Sequence, residues 1–153
     1  MAHVLQNARC TQSPALERSL TAMSHILLVE DEPTTSWALA EGLAEDGFTI
    51  DTFRSAEEAL AWLRENRCDL VITDLRLPGI GGLAFARKLR RGRKACPVVV
   101  VSAYGHETSE RELSRAGVVA VFSKPFHVDT LRRAVRRALL EGAAPRGTAR
   151  KAA

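Results

Sequence analysis

The sequence predicts an open α/β domain built on a doubly wound parallel sheet, and three observations predict it. Five short apolar segments alternate strictly with five segments whose apolar residues recur at three- and four-residue spacing. The units follow one another at roughly 20 to 25 residues, too close for anything but direct right-handed crossovers. The first apolar segment lacks the in–out alternation of a half-exposed strand and reads as one covered on both faces.

The elements follow in order. Ile26-Leu27-Leu28-Val29 is a strand that ends in Glu30-Asp31-Glu32 and then Pro33, which opens a helix from its first turn. That helix carries Trp37, Ala40, Leu43 and Ala44 on its apolar side and stops at Gly47. Phe48–Phe53 is the second strand. Ser55, with Glu58 three residues on, has the capping-box pattern, and Ala59, Leu60 and Leu63 form the inner face behind it. Asp69–Thr73 is the third strand and closes on Asp74. Leu83, Ala86 and Leu89 mark the third helix. Pro97–Val101 closes on Ser102 and leads to a weakly amphipathic helix from about His106 to Arg115, with Leu113 its one large apolar residue. Val118–Phe122 closes on Ser123-Lys124-Pro125. The last helix runs from about Val128 to Leu140, with Leu131, Val135 and Leu139 inward and its arginines outward.

The 153 residues leave room for one such domain, over residues 24–141, with short tails. Residues 1–23 lack sustained periodicity and read as a mobile extension, with Met23 a candidate alternative start; residues 142–153 read as a basic disordered tail. The net charge of +4 is concentrated at one end. Arg132, Arg133, Arg136, Arg137, Arg146, Arg150 and Lys151 follow Thr130 against the single acid Glu141, and the remainder is slightly acidic. The tail has no aromatic residue for base stacking, so specific nucleic-acid reading is not supported. The last helix is balanced between a solvated outer face and a partner-docking one. No apolar run approaches the ~20 residues of a membrane span, and residues 1–22 lack a continuous apolar stretch, which places the chain in the cytoplasm. Cys10, Cys68 and Cys96 lie far apart in sequence and form no CxxC pair, so they read as reduced thiols rather than a zinc site or disulfide framework.

In open α/β sheets ligands bind beyond the carboxyl ends of the strands. Those ends carry Glu30 and Asp31, Asp74, Ser102 and Lys124: three carboxylates, one hydroxyl and one ammonium. Each carboxylate pair would repel by up to about 4 kcal/mol at 4 Å and an effective dielectric near 20, so a cation has to offset them. A hard divalent ion with oxygen ligands suits that set, and Mg²⁺ fits best. Ser102 and Lys124 offer a phosphoryl group a neutral donor and a point cation. Asp74, central in the set, is then the candidate nucleophile. Glu32 reads as an ordinary solvated loop acid.

These strand ends, together with the loop Asp74-Leu75-Arg76-Leu77-Pro78-Gly79-Ile80-Gly81-Gly82 and the dipeptide Lys124-Pro125, resemble the receiver domain of two-component response regulators over about His25 to Leu140. The resemblance implies a flavodoxin-like, CheY-like (βα)5 fold with strand order 2-1-3-4-5. It implies Asp74 as phosphoacceptor, Asp31 as Mg²⁺ ligand assisted by Glu30, and the Arg76 carbonyl as a backbone ligand. It makes Ser102 the switch hydroxyl, Lys124 the phosphate-pairing cation, and the Lys124–Pro125 bond cis. It further implies a histidine kinase or phosphotransfer protein as donor, an output through protein contacts as a monomer or weak dimer, and only self-phosphorylation and self-dephosphorylation as activity. Arg76 and Tyr104, each two residues past a site residue, are expected to flank the phosphoryl group and slow its hydrolysis.

The sequence departs from the family where an aromatic residue normally stands three positions before the lysine. Val121 stands there, and Phe122 falls one residue late, on the other face of the strand. Related receivers often meet partners through the fourth helix, fifth strand and fifth helix, but here the fourth helix is poor in large apolar residues. A haloacid-dehalogenase-type phosphatase would need an aspartate where Arg76 stands, and a dinucleotide-binding domain a glycine-rich turn in place of Glu30-Asp31-Glu32-Pro33. The remaining alternatives are a receiver fragment of a longer, possibly DNA-binding regulator, and a phosphorylation-independent interaction module, which would be expected to lose Asp74 or Lys124.

Overall fold

The computed structural model of the chain describes residues 2–4, 15, 23–92, 95–103 and 107–142. Its strands are β1 (Ala2–Val4), β2 (His25–Val29), β3 (Thr49–Phe53), β4 (Leu70–Thr73), β5 (Val98–Ser102) and β6 (Val118–Ser123). Its helices are α1 (Pro33–Ala44), α2 (Ala56–Leu63), α3 (Gly82–Arg91), α4 (Glu110–Arg115) and α5 (Val128–Gly142). They build one sheet in the order β1-β6-β5-β4-β2-β3. The five strands from β2 onward are mutually parallel and, counted among themselves, lie in the order 2-1-3-4-5.

For residues 2–4 the sixth strand corrects the sequence reading, which placed residues 1–23 in a mobile extension. Ala2–Val4 pairs antiparallel with β6, Ala2 opposite Phe122 and Val4 opposite Ala120, and so covers an edge whose backbone groups would otherwise be unpaired. A three-residue strand of Ala, His and Val has too little pattern to stand out in sequence.

The central strands are covered on both faces, which explains their lack of alternation. Every residue of β4 and β5 is buried. One face packs under α1 and α5, with Ile26, Leu28, Ile72, Val99 and Val101 meeting Leu39, Leu43, Leu131 and Val135. The other packs under α2, α3 and α4, with Leu27, Val29, Val71 and Val100 meeting Ala59, Leu63, Phe85, Leu89 and Leu113. In the pairing of β5 with β6 the register slips by one residue, Val98 facing Val118 and Val99 facing Ala120, so Val119 is an extra residue.

Two helices differ from the sequence reading. Trp37, assigned to the packed face of the first helix, is 66% exposed, while Leu39 and Leu43 are buried. A difference of two positions is about 200° around a helix, so choosing Leu39 and Leu43 turns Trp37 outward. The fourth helix begins at Glu110 rather than near His106, because the Ser109 hydroxyl accepts from the Glu112 amide and caps it there; His106 lies outside the described residues.

Glu32 is also more than a solvated acid. It is the N-cap of α1, accepting from the Thr34 amide at 3.0 Å and from the amide and hydroxyl of Thr35 at 2.6 Å each. The Thr35 hydroxyl first, then the amides of Thr35 and Thr34, bring its carboxyl from the ordinary 4.5 down to about 2. A depressed carboxyl contributes stability above its unfolded value and loses it as pH falls through the folded one. Urea titrations of wild type and Glu32→Ala should therefore differ most above about pH 4.5, the gap closing as the pH falls toward about 2. A gap independent of pH would mean that the carboxylate does not carry the cap.

Candidate functional site

The carboxyl ends of β2, β4, β5 and β6 converge where the parallel ladder stops. Glu30, directly after β2, is 1% exposed, and Asp74, directly after β4, is 8% exposed. The Asp74 amide donates to the Val29 carbonyl at 3.1 Å, so the ladder itself sets Asp74 beside the β2 end. Asp31 is exposed. Carboxylate oxygens of Glu30, Asp31 and Asp74 lie within 4.8 Å of one another.

Lys124 holds this cluster together. Its Nζ donates to Glu30 Oε2 at 2.7 Å and to Asp74 Oδ2 at 3.1 Å. Ladder pairing puts Lys124 there: its amide donates to the Ser102 carbonyl at 3.1 Å, and Ser102 pairs with Ser123. Ser102 is fully buried at the end of β5, between the strands that deliver Asp74 and Lys124. The Lys124–Pro125 peptide is cis.

Electrostatics follow from this burial. Burial raises the Glu30 pKa above 4.5, although the Lys124 ammonium and the Glu32 amide pull it down. Burial pulls Lys124 down as well, but its hydrogen bonds to Glu30 and Asp74 outweigh that and hold it above 10.5. The ammonium is therefore charged at neutral pH and contacts two of the three carboxylates.

The loop after Asp74 is fixed by contacts from distant parts of the chain. The Arg76 amide donates to Asp74 Oδ1 at 3.1 Å. Its guanidinium turns to Glu107, beyond β5, at 2.9 Å. Gly79 takes φ +73°, and the next amide, Ile80, donates to Glu57 Oε1 on α2 at 2.8 Å. At Gly82 a Cβ would stand 1.9 Å from the Asp74 carbonyl oxygen, so a residue without a side chain is required there. Glu57 and Glu107 were not singled out from the sequence, and nothing local in it distinguishes them from other surface acids.

Val121 and Phe122 face opposite ways. Phe122 is 1% exposed in the core under α1 and α5, 5.7 Å from the Phe126 ring, while Val121 packs on the α2–α3–α4 side. Tyr104 lies outside the described residues.

The profile of the response regulator receiver domain matches residues 26–136. The chain belongs to that family. Receivers of this family take phosphoryl groups from histidine kinases, and phosphorylation and Mg²⁺ binding are typical of them. This receiver is 36% identical over 121 residues to the transcriptional regulatory protein TcrA of Mycobacterium tuberculosis, covering 79% of this chain and 48% of TcrA. It is 33% identical over 119 residues to the C4-dicarboxylate transport transcriptional regulatory protein DctD of Rhizobium meliloti, covering 78% and 26%. The receiver thus spans about half, or less, of the length of these curated relatives. Among solved structures it superposes on the chemotaxis response regulator CheY4 of Vibrio cholerae with a TM-score of 0.69 at 26% identity, covering 76% and 98%. It also superposes on TrrA of Thermotoga maritima, solved in complex with Mg(2+)-BeF, with a TM-score of 0.68 at 36% identity, covering 76% and 99%. Among the described residues no helix is long and apolar enough to cross a membrane.

Replacing Lys124 by Met should raise the Glu30 pKa further, because burial and the other carboxylates are then opposed only by the Glu32 amide. A raised acid contributes stability fully below its unfolded pKa and loses it as pH rises through the folded one. In metal-free buffer the variant should therefore match wild type most closely near pH 4 and fall progressively below it by pH 7, by about 1–3 kcal/mol. Urea midpoints across that range check this, and a deficit that does not grow with pH would contradict it.

Proposed function

We propose that this receiver is a phosphorylation switch in which Asp74 is the phosphoacceptor and the Lys124 bridge is the contact that phosphorylation rearranges. The observation that carries this reading is the Lys124 ammonium held 3.1 Å from Asp74 Oδ2 and 2.7 Å from Glu30 Oε2. The Asp74 carboxylate is nine-tenths buried yet reachable at the sheet edge, with Oδ2 held by the Lys124 bridge and Oδ1 by the Arg76 amide.

Glu30, Asp31 and Asp74 supply hard oxygen ligands in one place, and the Arg76 carbonyl is the proposed backbone ligand; that donor set fits Mg²⁺. When bound, the ion supplies positive charge to the phosphoryl oxygens. The remaining work falls to the chain. Asp74 forms the acyl phosphate bond as the donor's phosphorus–nitrogen bond breaks, Lys124 turns from the free carboxylate to a phosphate oxygen, and Ser102 donates to another. To move from 1% to 99% active the phosphate must favour the active state by about 5.5 kcal/mol, a magnitude that a few charge-assisted hydrogen bonds can reach.

The donor is a histidine kinase or phosphotransfer protein, and the output passes through protein–protein contacts. With valine at 121 and Phe122 committed to the opposite core, an aromatic swing from β6 toward the site is not the route. The Arg76–Glu107 pair, which ties the Asp74 loop to the segment after β5, offers another. A second reading is favoured by the share of the relatives covered: the chain is the receiver part of a longer transcriptional regulator.

Incubation with acetyl phosphate and Mg²⁺ should add one phosphoryl mass to the intact protein, and Asp74→Asn or chelation should abolish the gain. Absence of any gain in folded protein would leave a phosphorylation-independent interaction module. The phosphorylated form should decay slowly, and the pair Arg76→Ala and Tyr104→Ala should shorten its half-life several-fold by admitting water. An unchanged half-life would remove those two residues from that role.

A further inference from the structure

Cys68 and Cys96, 28 positions apart and read from the sequence as unrelated thiols, meet in the structure. Their Sγ atoms are 3.6 Å apart. Cys68 lies just ahead of β4 and Cys96 just ahead of β5. Parallel pairing makes them neighbours: Val71 partners Val98, and the Val71 amide donates to the Pro97 carbonyl at 3.0 Å. Adjacent strands run about 4.8 Å apart, within the Cα separations of about 4.4 to 6.8 Å that a disulfide spans. A bonded pair has its sulfurs at about 2.05 Å, so closure of about 1.5 Å remains, within reach of side-chain rotation.

We propose that Cys68 and Cys96 form a redox-active dithiol that closes reversibly to an intramolecular disulfide. Both thiols are half-buried, sheltered by the core beneath α2 and α3 yet open to small oxidants, and neither belongs to the phosphoacceptor site. They stand at the opposite ends of the strands from Asp74, about 20 Å away along β4 at ~3.3 Å per residue. Either thiol can donate across this contact; with Cys68 as the donor, Cys96 becomes the nucleophile, its pKa lowered and that of Cys68 raised. Burial and the nearby Asp69 carboxylate oppose ionisation of both.

The oxidant class is a hydroperoxide. The Cys96 thiolate attacks the O–O bond of hydrogen peroxide, giving a sulfenic acid and, after protonation, water. Cys68 sulfur then attacks Cys96 sulfur, the S–O bond breaks, and a second water leaves as the S–S bond forms. Two thiols and one peroxide thus become one disulfide and two waters. The crosslink ties the starts of β4 and β5 and closes a loop that contains Asp74 and α3.

The test treats the full chain, folded and at low micromolar concentration, with hydrogen peroxide. Remaining thiols are then blocked with N-ethylmaleimide and the tryptic peptides are weighed. The expected product joins the peptide Cys68–Arg76 to Ala95–Arg111 with the loss of two hydrogens, and dithiothreitol reverses it. The oxidised protein should melt about 10 °C higher than the reduced one, as loop closure in the unfolded chain predicts. Cys68→Ser and Cys96→Ser, each folded, should give neither product nor shift. Recovery of both cysteines as maleimide adducts would overturn the proposal. So would separate sulfinic or sulfonic acids on the two peptides, or a disulfide to Cys10 instead.

Discussion

Glu30, Asp31 and Asp74 are like charges held within 4.8 Å of one another at the edge of a sheet whose interior is almost wholly apolar, and the architecture around them depends on how that repulsion is met. Two of the three are removed from water, where an uncompensated carboxylate would be driven to take up a proton. Lys124 answers both at once with a single ammonium. Its reach requires β6 to lie next to β5, and β5 next to β4, so the strand order is a condition of the electrostatics.

The same balance leaves the cluster poised. One ammonium offsets only one of three negative charges, so a further cation is accommodated rather than repelled. A phosphoryl group on Asp74 would compete with Glu30 for the same Nζ. The surrounding backbone is tied down by contacts that do not involve Lys124: Asp74 is tied to β2 through its amide, its loop is clamped by Glu57, and Gly82 fits against its carbonyl.

The arginines of α5 are less available than their number in the sequence implies. Arg132 pairs with Glu45 and Asp129, Arg136 with Asp46 at 3.4 Å, and Arg137 with Glu141 at 3.4 Å. Glu45 and Asp46 come from just past the C-terminus of α1, so part of this basic face serves to join two helices that pack on the same side of the sheet. Exposed pairs of this kind are worth at most about 1 kcal/mol each. They lower the charge left for a partner.

The fold and the chemical core of the site were legible in the sequence because both are periodic or positional. Apolar runs of four or five residues mark strands covered on both faces, and the residue that closes each run must emerge at the carboxyl edge, which names Glu30, Asp74, Ser102 and Lys124 without any long-range knowledge. What the sequence left undetermined depends on contacts between segments remote along the chain. The pairing of Ala2–Val4 with β6, the clamp of Glu57 on Ile80 and the turn of Arg76 to Glu107 rest on side chains or edges with no local signature. So does the approach of Cys68 to Cys96, which strand order alone makes neighbours. Local sequence determines which residues reach the end of a strand; only the packed sheet decides what stands beside them.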